Sequence, residues 1–420
     1  MMIASKCSSF VVLALVSAAS IGVDGFVHPA STVASRPSIS PLSDATGWDN
    51  FCIEDSSNRG QLQVSPEVAR RFRRTVYTHD DWKKHRQQDR FLIYLGSMFK
   101  SGVYENSRNE ILLTTAIATF VVVYNALRGG YTDISGVVHP APLPGQVIGI
   151  PMNVFTLTGS SLGLLLTFRA NASYKRWDEA RKNWGMNINH TRDLVRMANC
   201  YYDRDVDPEV RQEDLNHVAL CTWAFVRAMK RHLSPAEEDE FAFQLELREK
   251  LSREQAEMII ASAHRPNRAL QDLSFAIDQL PMHFVRKNEI HQAVTIFEDN
   301  LGSSERLLTS PVPLFYSRHT ARFITCWLFL MPLGLYSEFK GSWNHISMIP
   351  ATFLIALFMF GIEELATQLE EPFTILPMQA FCDKIYNWCM EIMSWSPGDN
   401  GRQLKPIKPE HQYFHNPNRS

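Results

Sequence analysis

The chain has 420 residues, 45% of them hydrophobic and 20% charged, which excludes wholesale disorder and would fill two or three globular domains at ~100–200 residues each. Forty-two Lys+Arg against 44 Asp+Glu leave a formal charge of −2, so no global charge recommends nucleic acid as a partner. Seven cysteines are scattered without a C-x-x-C, which fits neither a disulfide scaffold nor a zinc ribbon.

The N-terminus reads as an address. Lys6 precedes an apolar core from Phe10 to Ala19, and small residues follow at Ser20, Gly22 and Gly25, as in a secretory signal peptide. That core is too short to span a bilayer. Phe26 and a hydroxylated, acid-poor stretch through Ser40 then resemble the two-part plastid leader of algae with secondary plastids. An ordinary secreted or endomembrane protein is the plainer alternative. Residues 1–45 are read as leader and 46–110 as an N-terminal extramembrane arm with helices. Arg70 to Arg86 of this arm alternates basic and aromatic residues. Beside a membrane helix such a segment suits headgroups or packing on an extramembrane domain better than nucleic acid.

Four apolar stretches follow. Ile111–Leu127 and Ile346–Ile362 are seventeen residues each, Val147–Phe168 is twenty-two, and Phe323–Ser337 is fifteen. A hydrocarbon core of ~30 Å takes ~20 helical residues, so length alone leaves three of them ambiguous with core helices. Charge decides. The connections 128–146 and 338–345 are short and nearly free of Lys and Arg, whereas the arm, residues 169–321 and the tail are densely charged. Four crossings put all three charged blocks on one face, as the positive-inside bias expects. Transmembrane helices 1 and 2 are placed in 111–168, a helical extramembrane domain in 169–321, helices 3 and 4 in 322–365, and a C-terminal segment in 366–420.

The charged middle predicts helices. Tyr174, Trp177, Arg181, Trp184, Ile188, Thr191, Leu194 and Met197 recur at three- and four-residue steps over Asn171–Tyr202. Ser234-Pro-Ala-Glu237 and Ser252-Arg-Glu-Gln255 read as capping boxes. Strand signals are nearly absent, so the fold class is all-α. Catalysis has no candidate: Gly159-Ser-Ser161-Leu-Gly163 falls inside an apolar run rather than a strand-to-helix elbow, and no P-loop or dinucleotide fingerprint occurs. His283/His291 and His79/His85 lack helical metal spacing, His411/His415 has it without a third ligand, and the Glu363–Glu371 cluster has no accompanying His. No metal, cofactor or enzymatic activity is expected. The acids at 237–240 read as the first turn of the helix that Ser234 caps, where the dipole favours negative charge, and those at 363–371 as partners for Arg and Lys.

In the second stretch, Asn153, Leu157 and Ser161 share a stripe, with Thr156 and Ser160 beside it. The stripe fits a pore lining and helix–helix packing equally, since Gly159 and Gly163 have packing spacing. Arg169, Lys175 and Arg176 just beyond it would concentrate anions at a pore mouth. They fit positive-inside residues and ion pairs such as Asp178–Lys182 as well.

Phe168-Arg-Ala-Asn-Ala-Ser-Tyr-Lys-Arg-Trp-Asp-Glu-Ala-Arg-Lys-Asn-Trp-Gly185 resembles the stretch after the second membrane helix of bestrophin-type anion channels. So do Glu305-Arg-Leu-Leu-Thr-Ser-Pro-Val-Pro313, Tyr316-Ser-Arg-His319 and Gln368-Leu-Glu-Glu-Pro-Phe373. Arg74-Thr-Val-Tyr77, Asp80-Asp-Trp82 and Asp89-Arg-Phe91 are similar to the chloroplast branch, the voltage-dependent chloride channels of thylakoids. The resemblance implies a homopentamer with one axial pore, its neck on Asn153, Leu157 and Ser161 and its anion-attracting mouth on Arg169, Lys175 and Arg176. It implies chloride as the ion and a thylakoid membrane as the site, with bicarbonate conduction or a non-conducting membrane scaffold as rivals. Animal members clasp calcium with acids after the Pro-Phe pair; here Thr374-Ile-Leu-Pro-Met-Gln379 follows Pro372-Phe373, so no clasp is expected there.

Overall fold

The computed structural model describes residues 74–98, 101–143, 145–203 and 205–395. The leader, the start of the basic arm, the His411/His415 pair and the tail from Ser396 lie outside them. The described chain is helical almost throughout. It divides into two compact units, one of residues 95–167 and 317–364, the other of residues 74–94, 168–316 and 365–395.

In the first unit, α4 (Arg108–Gly129), the start of α5 (Asn153–Tyr201), α11 (Leu314–Glu338) and α12 (Met348–Glu370) surround one apolar core. Ile111, Ala118 and Val121 of α4 meet Phe155 and Leu162 of α5, Ile324 and Leu328 of α11, and Met348 and Leu357 of α12. Short helices α1 (His79–His85), α2 (Arg90–Ser97) and α3 (Gly102–Asn106) precede α4 in the chain. Helix α4 and the stretch Trp343–Glu370 are long and apolar enough to cross a membrane. The other two expected crossings differ from the sequence reading. The apolar run from Val147 becomes helical only at Asn153, behind Pro151, so sixteen helical residues rather than twenty-two precede Arg169. The run 323–337 lies inside α11, which carries Pro332 in its interior.

The connection after α4 holds a structure that the strand-poor sequence hid. Tyr131–Thr132 (β1) and Val138–His139 (β2) pair antiparallel, Tyr131 opposite His139. Gly130 opens this hairpin at φ +92°, where a Cβ would sit 2.7 Å from the His139 carbonyl, so only glycine fits. Two asparagines then act as surrogate strands. The buried Asn125 amide donates to the Ile148 carbonyl and accepts from the Ile148 N–H, both at 2.8 Å. Asn344, itself left-handed at φ 46°, does the same with Thr132 at 2.7 and 2.8 Å. Each pair satisfies peptide groups for which the helices have no use.

The second unit is built round α6 (Pro208–Leu233), which is buried on every side from Cys221 to Lys230. A helix apolar on one face only could not be placed there. Around it pack the remainder of α5, α7 (Ala236–Lys250), α8 (Arg253–Ala261), α9 (Arg265–Gln279), α10 (Phe284–Thr309) and, beyond the short α13 (Pro372–Ile375), α14 (Met378–Ser394). Ser252 caps α8 by accepting from Gln255 N–H, as its box predicts. The box at Ser234 does not form: Pro235 takes the N-cap position and no side chain caps α7. Asp239 and Glu240 pair instead with cations, Asp239 with Arg227 and Lys230, Glu240 with Arg231 and Arg265.

One difference matters most for function. The sequence suggests a membrane helix ending near Phe168 and a new helix from Asn171. The structure has a single uninterrupted helix, α5, of 49 residues, about 73 Å long at 1.5 Å per residue. No Gly or Pro breaker stands between Phe168 and Tyr174, and Ala170, Ala172 and Arg169 are strong helix formers.

Candidate functional site

The first turns of α5 have two faces. Phe155, Leu162 and Leu166 are buried in the first unit's core. Phe155 meets Trp327 edge-on with centroids 5.8 Å apart, and Trp327 Nε1 donates to Thr158 Oγ1 at 3.1 Å. Gly334 admits the Phe155 ring: a Cβ there would sit 2.7 Å from it. These contacts fix the rotation of the helix about its axis.

That rotation brings Asn153, Leu157 and Ser161 together on the opposite, exposed face, with Thr156 and Ser160 beside them. Leu157 is 78% exposed, at a depth where its own chain offers a core. Packing within the chain does not account for the stripe. Gly159 touches Trp327 at ordinary contact distance, whereas a Cβ on Gly163 would meet nothing within 4 Å. Thr156, Thr158 and Thr167 turn their hydroxyls back to carbonyls of their own helix, so the stripe offers fewer polar groups than its sequence does. The Gly159–Gly163 hydrolase-like pattern lies in mid-helix, away from any elbow.

Farther along α5 the three candidate cations separate. Lys175 is exposed. Arg169 is buried and donates to Thr367 Oγ1 at 3.2 Å. Arg176 spends its guanidinium on backbone: Nε donates to the Glu370 carbonyl at 2.9 Å, Nη1 to Ser310 and Nη2 to Leu307 at 2.6 Å each. Those carbonyls end α12 and α10, where a helix leaves acceptors unfilled and its dipole is negative. Other cations of this face are locally engaged. Lys182 pairs with Asp178 at 2.6 Å, a hydrogen bond that raises its pKa, and Arg196 is raised in the same way by Asp193.

The place after Pro372-Phe373 is a buried turn. Pro372, Phe373 and Thr374 are inaccessible, Thr374 Oγ1 donates to the Glu371 carbonyl, and the Thr374 carbonyl accepts from Arg74 Nε at 2.8 Å. Arg74 also reaches Glu238 at 3.1 Å, so this part of the basic arm is pinned to the helical unit. Of the acids nearby, Glu370 accepts from Val312 N–H and Glu364 from the Asn106 amide. Among the described residues one set with metal-ligand geometry occurs elsewhere, at His232, His264 and Glu305. No sequence spacing announces it, because its members come from three helices.

The profile of the Bacterial/Fungal Bestrophin protein family matches residues 81–391, and the chain belongs to the bestrophin family. It is a helical membrane protein of that class. Voltage-dependent chloride channel 1, chloroplastic, of Arabidopsis thaliana is 29% identical over 349 residues, which cover 82% of this chain and 79% of the relative. Voltage-dependent chloride channel 2, chloroplastic, of the same plant is 28% identical over 312 residues, 74% and 71% of the two chains. A bacterial bestrophin homolog from Klebsiella pneumoniae shares the fold, with a TM-score of 0.56 and 24% identity over 69% of this chain and 98% of its own.

Proposed function

We propose that the chain is a passive anion channel of a plastid membrane, thylakoid in particular, carrying chloride down its electrochemical gradient. Four helical crossings per subunit and five subunits round one axial pore complete the reading. The observation that carries it is the face of α5 that bears Asn153, Leu157 and Ser161, exposed while the opposite face is committed to core. Polar positions at membrane depth belong against protein or water rather than lipid. Five such faces make a neck in which Asn153 and Ser161 flank Leu157, wetter than an all-apolar constriction and less able to close by dewetting. Lys175, the exposed cation of the three, raises the local anion concentration.

Voltage dependence and the plastid location are supported by the names of the Arabidopsis relatives, and the leader-like N-terminus agrees with the location. Calcium independence is supported by the buried turn at Pro372–Thr374, since Ca²⁺ needs 6–8 oxygen ligands and no carboxylate follows Phe373 before Asp383.

The test is a bi-ionic reversal potential. Purified protein in planar bilayers faces chloride on one side and bicarbonate on the other at matched ionic strength. A reversal set by chloride supports the chloride reading, and one near zero makes both anions substrates. Absence of current overturns the channel reading in favour of a membrane scaffold.

A further inference from the structure

Three side chains of the helical unit converge on one point. His232 lies in the last turn of α6, His264 stands at the N-cap of α9, and Glu305 projects from α10. Nε2 of His232 is 2.8 Å and Nε2 of His264 is 3.0 Å from the same Glu305 oxygen, Oε1. The imidazole centroids are 5.0 Å apart, and one donor atom from each residue falls within 4.8 Å of the others. Ligand atoms of a tetrahedral zinc ion stand about 3.3 Å from one another when metal–ligand bonds are ~2.0–2.1 Å. Each of the two Nε2–Oε1 pairs therefore needs to part by only a few tenths of an ångström to admit the ion, and the third pair of ligand atoms lies within 4.8 Å.

The donor chemistry agrees. Two imidazoles and a carboxylate are a zinc set, and the helices that carry them are held from behind by the core formed by Phe225, Ala269 and Phe297. The three side chains are 33%, 41% and 31% exposed, which leaves a fourth position for water. Of the nearby cations, Arg231 and Arg265 share Glu240 at 2.5 and 2.8 Å, which offsets one of their two charges. We propose that His232, His264 and Glu305 form a zinc-binding site that ties α6, α9 and α10 together, distinct from the α5 stripe and independent of whether the chain conducts.

Ligation has one local cost. His264 Nδ1 accepts a long hydrogen bond, 3.4 Å, from Asn267 N–H, which leaves its neutral-form proton on Nε2. Binding metal through Nε2 moves that proton to Nδ1 and gives up the long cap.

The test uses the full chain, purified in detergent and stripped with a chelator. Zn²⁺ is titrated in competition with a chromophoric chelator, and Co²⁺ is added separately to read coordination from its visible absorption. Expected are one Zn²⁺ per chain, the intense bands of four-coordinate Co²⁺, and affinity at least about tenfold weaker in Glu305→Gln and His232→Gln. His264→Asn guards against a folding artefact, since Asn is a good N-cap but a poor zinc ligand. It should keep the helical circular dichroism of the parent and lose the Co²⁺ bands. Equal zinc uptake by parent and variants, or only the weak spectrum of octahedral Co²⁺, overturns the proposal.

Discussion

Arg227 grips Asp239 with both terminal nitrogens, Nη1 to Oδ2 at 2.8 Å and Nη2 to Oδ1 at 3.1 Å, while its side chain is 0% exposed. Its Nε completes the fork on Glu246 at 2.9 Å, and Lys230 meets the remaining demand of Asp239 at 2.5 Å. A charge so deep in α6 survives because each of its three nitrogens donates to a carboxylate. Arg227→Met should destabilise the protein by about 3–5 kcal/mol, the usual cost of stranding one partner of a buried pair. Arg227→Met with Asp239→Leu should recover only part of that loss, because Lys230 and Glu246 then lose these partners. Thermal melts of the four forms in detergent give the cycle, and a double variant no better than the single would show that the fork does more than neutralise Asp239.

Glu240 sets an acid limit. Arg265 beside it, helped by Gln244 and Arg231, holds its carboxyl at about 2, below its ordinary 4.5. A carboxylate depressed on folding stabilises above its unfolded pKa and loses that contribution as pH falls towards the folded one. The melting temperature should therefore drop between pH about 4.5 and about 2, and Glu240→Gln should flatten the drop while lowering stability at neutral pH. An unchanged acid slope in the variant would assign the pH response to other groups.

Arg176 predicts a difference between two conservative-looking changes. A lysine keeps the charge but cannot reach the carbonyls of Leu307, Ser310 and Glu370 in one planar fork. Arg176→Lys should cost roughly 2 kcal/mol, within the range of one or two charge-assisted hydrogen bonds, and Arg176→Ala more. Chemical denaturation measures both. Equal stability of Arg176→Lys and the parent would mean that charge at these helix ends, rather than the fork, is what counts.

The neck can be tested by size and polarity. Ser161→Leu should lower single-channel chloride conductance several-fold by drying the exposed face, whereas the same change at Thr158, whose hydroxyl serves Trp327, should act on stability. Conductance unaffected by Ser161→Leu would move the pore face to another register of α5. Lys175→Glu should lower the current carried by anions without changing the melting temperature.

Much of this was legible from sequence because membrane and core impose periodicity. Three- and four-residue spacing predicted the helix through Trp184 and Leu194, and the i, i+4 stripe put Asn153, Leu157 and Ser161 on one face. What escaped depended on partners far away in the chain. Arg169 and Arg176 have the same local sequence logic as Lys175, yet Thr367 and three helix-end carbonyls claim them. The β1–β2 hairpin is too short for alternation to register, and Ser234 looked like a cap until Pro235 took the position. The convergence of His232, His264 and Glu305 is a product of helix packing, which no spacing rule encodes.

The paired hydrogen bonds between Asn125 and Ile148 carry a consequence for biogenesis. A bare asparagine amide and an open peptide group are both costly in hydrocarbon, and each can be silenced here only by the other. If the first two apolar segments cross the membrane as proposed, they would have to leave the insertion machinery as a closed pair. Asn125→Leu would orphan Ile148 and strand the second segment at the aqueous interface, so its damage would be done during synthesis, before any ion could be offered a path.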